Sequence, residues 1–271
     1  MSRIQFLAVL SENPGALAMF YTRYLGLREL GRDADGDVSL TDGCFNLTLL
    51  RQRPGLREPR LERGLHHLGV AVTSIAEIEA RYRKFNPRGV FLRESGDLQH
   101  GEARIFDPEC NPVTLSERNF GVPAPEPAIP RIAHIALNAL DTELIFNFYT
   151  EVFGFRELTE AHAARRKEAG YRNKHVGDGF TNVAIQAFYN EEEGFEPRFG
   201  IAHMGFLVED SRALADRIRS VATIAERPAS RRQSEVRMRD PEGNGCDLSQ
   251  RGWEVDVGKW VGNRPASARP A

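Results

Sequence analysis

The chain has 271 residues, 41% of them hydrophobic, with 36 basic and 38 acidic side chains and a formal charge of -2. That length suffices for two domains with sizeable cores, and the balanced charge excludes the basic excess of a generic nucleic-acid binder. No run reaches the roughly 18 apolar residues of a spanning helix, so no membrane segment is expected.

In chain order, the segment Ile4 to Leu10 after Arg3 holds six apolar residues and is closed by Ser11 and Glu12, which reads as a first strand rather than a secretory signal. Ser11 is placed to cap a helix running through Tyr24, and Gly26 to end it. Short strands follow. His67 opens another strand. The next segment, with Ile75, Ile78 and Tyr82 three to four residues apart, predicts a helix. Two short strands surround the turn Asp107-Pro108-Glu109-Cys110-Asn111. Residues 121–130 hold four prolines, which predicts an extended linker.

The sequence then repeats itself. Residues 3–30 align with 131–158 without gaps, and ten of those 28 positions are identical, including Phe20-Tyr21-Thr22 with Phe148-Tyr149-Thr150 and Gly26 with Gly154. His67-x-Gly69 matches His203-x-Gly205, and the Asp107 turn matches Asp240-Pro241-Glu242-Gly243-Asn244. Asp141 is the expected cap of the third helix. Each half itself divides in two, giving strand–helix–strand–strand–strand four times. The expected domains are 1–120 and 131–257, followed by a flexible tail at 258–271 after Gly258. Three distant cysteines, Cys44, Cys110 and Cys246, imply no disulfide framework, and a reducing cytoplasm is the expected setting. No nucleophile elbow, phosphate-binding loop, paired-cysteine motif or dinucleotide fingerprint is present.

Four such modules, with a histidine on first strands and an Asp-Pro turn near the end, resemble the vicinal oxygen chelate superfamily of glyoxalases, bleomycin-resistance proteins and extradiol dioxygenases. The resemblance is carried by IAHIALNALD at 132–141, FYTEVFGF at 148–155, AHMGFLV at 202–208 and DPEGNGCDL at 240–248. It implies an α+β fold in which four βαβββ modules pair into two cup-like mixed sheets. It also implies metal ligands on the first and last strands of the modules. At those corners the second half carries His134, His203 and, where the family usually has glutamate, Asp247; Gln186 is the expected residue at the remaining corner. Two imidazoles and a carboxylate suit non-haem Fe(II), and Mn(II), Zn(II) or Ni(II) are alternatives. In the first half Phe6, His67 and Thr114 take the same corners, so its metal site is expected to be lost.

The resemblance therefore implies a metal-dependent oxidoreductase similar to type I extradiol dioxygenases. It would act with dioxygen on a catecholic or related small molecule, with no nucleic-acid or membrane partner and a homo-oligomer as an option. His175, expected on a loop over the cup, is the candidate acid–base residue. Two other readings stay open: a glyoxalase- or epimerase-like isomerase or lyase, with Glu235 as a base, and a metal-free small-molecule binding or resistance protein. The basic cluster Arg165-Arg166-Lys167, with Arg172 and Lys174, reads as a solvated face. Phe180, Phe188 and Tyr189 are aromatic candidates for a pocket.

Overall fold

The computed structural model describes residues 2–54, 62–93, 101–122, 129–160, 170, 172–187, 199–227 and 234–262. The strand–helix–strand–strand–strand order occurs four times. The first module is β1 (Arg3–Ser11), α1 (Pro14–Leu25), β2 (Arg28–Arg32), β3 (Val38–Thr41) and β4 (Asn46–Arg51). The second is β5 (Gly64–Ala71), α2 (Ile75–Phe85), β6 (Leu92–Arg93), β7 (Ala103–Phe106) and β8 (Pro112–Ser116). The third is β9 (Arg131–Ala139), α3 (Thr142–Phe153), β10 (Arg156–Glu157), β11 (Lys174–Gly177) and β12 (Asn182–Ala187). The fourth is β13 (Gly200–Leu207), α4 (Ser211–Ile218), β14 (Thr223–Glu226), β15 (Val236–Arg239) and β16 (Gly245–Ser249).

Modules pair within each half through their first strands. The first sheet runs β2-β3-β4-β1-β5-β8-β7-β6 and the second β10-β11-β12-β9-β13-β16-β15-β14. Both are mixed: β9, for example, runs parallel to β12 and antiparallel to β13. The class is the expected α+β one.

Local chemistry sets the helix ends. Asp141 caps α3, its side chain accepting from Leu144 N, and Gly154 ends that helix at φ 75°, a left-handed conformation that glycine adopts without a Cβ penalty. At α1 the structure corrects the sequence reading. Ser11 is the last residue of β1, and Asn13 is the cap, accepting from Ala16 N ahead of Pro14. Proline suits that first helical position because it has no N–H to leave unpaired. The Ser11 hydroxyl instead donates to Glu242 at 2.7 Å, across the two halves.

Each sheet has two unlike faces. The face toward the helices contributes Leu7, Val9, Ile135, Leu137, Val176, Val183, Met238 and Cys246 to one core that spans both halves. Cys246, next to Asp247, thus points away from the opposite face, as the two-residue strand period requires. The other, concave face carries separate small clusters: Phe6, Ala8, Leu10 and Leu50 in the first half, and Ala133, Leu207 and Trp253 in the second.

The two halves are tied by repeated contacts. The Glu242 carboxylate accepts from Glu12 N and Asn13 N, and Glu109 in the equivalent turn accepts from Leu140 N and Asp141 N. Asp178 accepts from Ile4 N, and Asp42 from Ile132 N. Tyr21 donates to Asp240 at 2.6 Å.

The linker expected at 121–130 lies largely outside the described residues. At the other end β17 (Trp253–Asp256) and β18 (Lys259–Val261) form a hairpin. Residues 259–261 are therefore strand, not tail. Val261 packs on Trp253, and the Trp260 indole N–H donates to Glu160 at 3.3 Å. Residues 263–271 lie outside the described residues. No described helix is long and apolar enough to cross a membrane.

Candidate metal centre

Strand register brings the sequence-predicted ligands together. His134 on β9 lies opposite Gly205 of β13, and Gly205 pairs in turn with Asp247 of β16. His203 lies two residues before Gly205 on the same face. Gly205 is required there: a Cβ would sit 2.8 Å from His134 Cβ and 2.9 Å from the Trp253 ring. Ligand atoms of His134, His203 and Asp247 all lie within 4.8 Å of one another, and all three residues are buried. Among the described residues this is the one cluster of three or more such side chains.

The residues around the cluster fix its electronic state. Asn182 on β12 donates through Nδ2 to the Glu254 carbonyl at 2.8 Å, which leaves its Oδ1 to accept. That oxygen lies 2.8 Å from His134 Nδ1. The His134 proton is therefore held on Nδ1 and the lone pair on Nε2, the tautomer that a metal ligand needs. The Trp253 ring stacks on His134, with centroids 5.0 Å apart and planes at 3°. The same ring lies over Gly205 on the concave face.

Asp247 is ionised and heavily engaged. Burial works to raise its carboxyl, but the Arg237 guanidinium and His203 beside it outweigh burial and hold it well below the usual carboxylate range. Arg237 on β15 is its register partner across the sheet. Arg237 Nε donates to Oδ1 at 2.7 Å and Nη2 to Oδ2 at 3.1 Å. Arg227 Nη1 and His203 Nε2 reach Oδ2 at 3.4 and 3.3 Å. By type and spacing the donor set fits a divalent ion: two imidazoles and a carboxylate, one imidazole with its tautomer preset.

Other expected residues fall differently. His175 is on β11, not on a loop. It pairs with Ala184 of β12, and Ala184 shares the concave face of Asn182, so His175 faces the cup and is buried. Gln186 is not the fourth corner. Asp247 pairs with the residue two past His203, and by the same rule the residue two past His134, Ala136, pairs with Ala184. Glu235 accepts from Gln250 N and Arg251 N and pairs with Arg251 at the sheet end. Phe180 lies between Arg3 and Lys259 rather than in the cup. Lys174 pairs with Glu143 at 2.6 Å. Residues 165–167, Phe188 and Tyr189 lie outside the described residues.

The first cup holds a different set. Phe120 stacks on Phe6 at 5.0 Å and 18°, and Phe6 contacts His67 at 5.6 Å. Asn46 donates to the Phe120 carbonyl as Asn182 does to that of Glu254. The cup keeps the same framework, with an aromatic stack where the second has its donors.

Residues missed in the sequence are Asn182, Arg227, Arg237 as the partner of Asp247, and Trp253. Asn182 and Arg237 leave a signal through their repeat partners, Asn46 at the head of the equivalent strand and Arg104 three residues before the Asp107 turn.

Residues 131–248 match the family model for the Glyoxalase/Bleomycin resistance protein/Dioxygenase superfamily. Among curated proteins none matches in sequence. Solved structures share the fold over both halves. The 2,3-dioxygenase LapB from Pseudomonas sp. KL28 superposes with a TM-score of 0.62, 19% identity and 91% of each chain covered. An extradiol ring-cleaving dioxygenase from Brevibacterium fuscum gives a TM-score of 0.64 at 15% identity, over 94% of this chain and 75% of that one. A Mn(II)-bound glyoxalase from Novosphingobium aromaticivorans gives 0.63 at 17% identity, over 100% of this chain and 95% of that one. Identities this low establish shared architecture, not shared chemistry.

Proposed function

We propose that this chain, whose residues 131–248 match the family model for the Glyoxalase/Bleomycin resistance protein/Dioxygenase superfamily, is a metal-dependent oxidoreductase of the extradiol ring-cleaving type. It would act on a catecholic or related small molecule through the second cup. The observation that carries this reading is the buried His134–His203–Asp247 cluster, with its ligand atoms within 4.8 Å. Those three residues would hold the ion, Fe(II) first by donor type. A divalent ion there supplies Lewis acidity, lowering the pKa of hydroxyls bound to it.

The chain's own groups do the rest. Asn182 keeps the His134 proton on Nδ1 and so orients the ring. Trp253 and the buried walls exclude water and keep the local dielectric low, which strengthens every charge–charge contact in the cup. Arg237 and Arg227 supply positive charge beside Asp247 and suit an anionic ligand oxygen. His175, on the same concave face and level with Ala136 two strands away, would be the group that carries a proton on a ring nitrogen. The first cup, with Phe6 and Thr114 at two of its corners, has a supporting role.

Oxygen uptake by protein reconstituted anaerobically with Fe(II), against a panel of catechols, tests this. Uptake that His203→Ala abolishes is expected. No uptake with any catechol, together with metal-dependent isomerisation of a hemithioacetal, would replace this reading with the glyoxalase-like one. The Mn(II)-bound glyoxalase that superposes over the whole chain is the observation behind that second reading.

A further inference from the structure

The carboxylate of the second cup already has a cationic partner. Arg237 presents its fork to Asp247, Nε to Oδ1 at 2.7 Å and Nη2 to Oδ2 at 3.1 Å. The same Nη2 lies 3.4 Å from His203 Nε2, the nitrogen that is itself 3.3 Å from Oδ2. A single guanidinium nitrogen therefore touches two of the three expected ligands. Arg237 and Asp247 are 4% and 1% exposed. A carboxylate offers about four lone-pair positions. Here the fork takes two, while Arg227 and His203 crowd the same outer oxygen.

A guanidinium and a divalent ion both neutralise a carboxylate. In a buried site they cannot both do so fully. Two cations a few ångströms apart repel strongly where water is excluded, and lone pairs aimed at the fork are not aimed at an ion. A bidentate buried pair is also strongly held, since separating it exposes each charge to its own desolvation cost. Resting on the reading of the triad as a metal site, we propose that Arg237 is the resident counter-ion of Asp247. A divalent metal must displace it, and Arg237 thereby sets the metal affinity of the cup.

The repeat shows that the displaced side chain has a tolerable place in the fold. Arg104 on β7 pairs in register with Thr114 on β8, as Arg237 pairs with Asp247. It too is 4% exposed. Each cup floor thus carries a buried arginine at the same position, and in the first cup the residue opposite is a hydroxyl rather than a carboxylate. The framework accommodates this arginine without an acid across the strand.

The exchange has a signature that a purely structural role lacks. If Arg237 only orients Asp247, removing it loosens the ligand and weakens metal binding. If it competes, removing it strengthens binding. The test is titration of the full-length metal-free protein with Mn(II), reading free Mn(II) by electron paramagnetic resonance. Arg237→Met keeps the apolar length and removes the charge; Arg227→Gln is a milder variant that leaves the bidentate pair in place. Asp247→Asn and His203→Ala establish whether binding is at the triad. The expected result is triad-dependent binding that tightens by at least about tenfold in Arg237→Met, with Arg227→Gln between it and wild type. Metal should also raise the melting temperature of Arg237→Met more than that of wild type. Triad-dependent binding that is equal or weaker in both arginine variants overturns the exchange and leaves the metal site standing. Absence of triad-dependent binding in every variant overturns both. Should Arg237→Met fail to fold, the Arg227→Gln titration decides alone.

Discussion

Arg237 and Asp247, cross-strand partners on β15 and β16, meet through two hydrogen bonds of 2.7 and 3.1 Å at the point where His203 also reaches the carboxylate. The second cup is therefore both an assembled donor set and an occupied ion pair. Its chemistry depends on which cation Asp247 faces.

Asn182 is expected to govern metal affinity without touching the ion. Asn182→Ala removes the acceptor that keeps the His134 proton on Nδ1. Loss of such an outer partner costs roughly 10–100-fold in metal affinity. Mn(II) titration checks this, and unchanged affinity would remove Asn182 from the site.

Gly205 is expected to tolerate no side chain. In Gly205→Ala the new methyl would lie 2.8 Å from His134 Cβ and 2.9 Å from the Trp253 ring, so the ring, the histidine or β13 must move. Metal binding should fall and Trp253 fluorescence shift, while the equivalent substitution Gly69→Ala, which meets Phe6 and Phe120, should leave metal binding intact.

Glu242 is expected to contribute to stability across the two halves. Its carboxylate accepts from the Ser11 hydroxyl, Glu12 N and Asn13 N. Charge-assisted bonds of this kind contribute about 1.5–3 kcal/mol where shielded from water. Partial exposure puts Glu242→Ala near a loss of about 1–2 kcal/mol, measured by urea unfolding.

The repeat, the modules and the α+β class were legible because spacing and sequence identity record them directly. His134, His203 and Asp247 were legible because the repeats align their strands. Cross-strand partners were not. Arg237 and Asn182 reach their partners through register, which no local pattern encodes. Gln186 was placed one pleat too far out for the same reason, since only the pairing of Ala136 with Ala184 fixes that corner. Ser11 passed for a cap because its type suits one, yet β1 runs through it and its hydroxyl serves the other half. Lys259 to Val261 read as tail because three residues carry no period, and the strand exists only by pairing with β17.

Asp107 gives a pH signature. Burial pushes its carboxyl up to about 6, against the bonds it accepts from Glu109 N, Asn111 N and Asn111 Nδ2. The folded state therefore binds this proton before the unfolded state does. Stability from the group rises as pH falls through about 6 toward its ordinary value of 3.8, and is lost as pH rises. Between pH 7 and 4 the unfolding free energy of wild type should gain about 2 kcal/mol on that of Asp107→Asn. Parallel pH curves for the two proteins would contradict this.

The central claim is that His134, His203 and Asp247 hold one divalent ion. It is tested most directly by metal content after anaerobic reconstitution with Fe(II), measured by mass spectrometry on wild type and His134→Ala. About one ion per chain in wild type, lost in the variant, is the expected result. No bound ion in wild type, or the same content in both proteins, would contradict it.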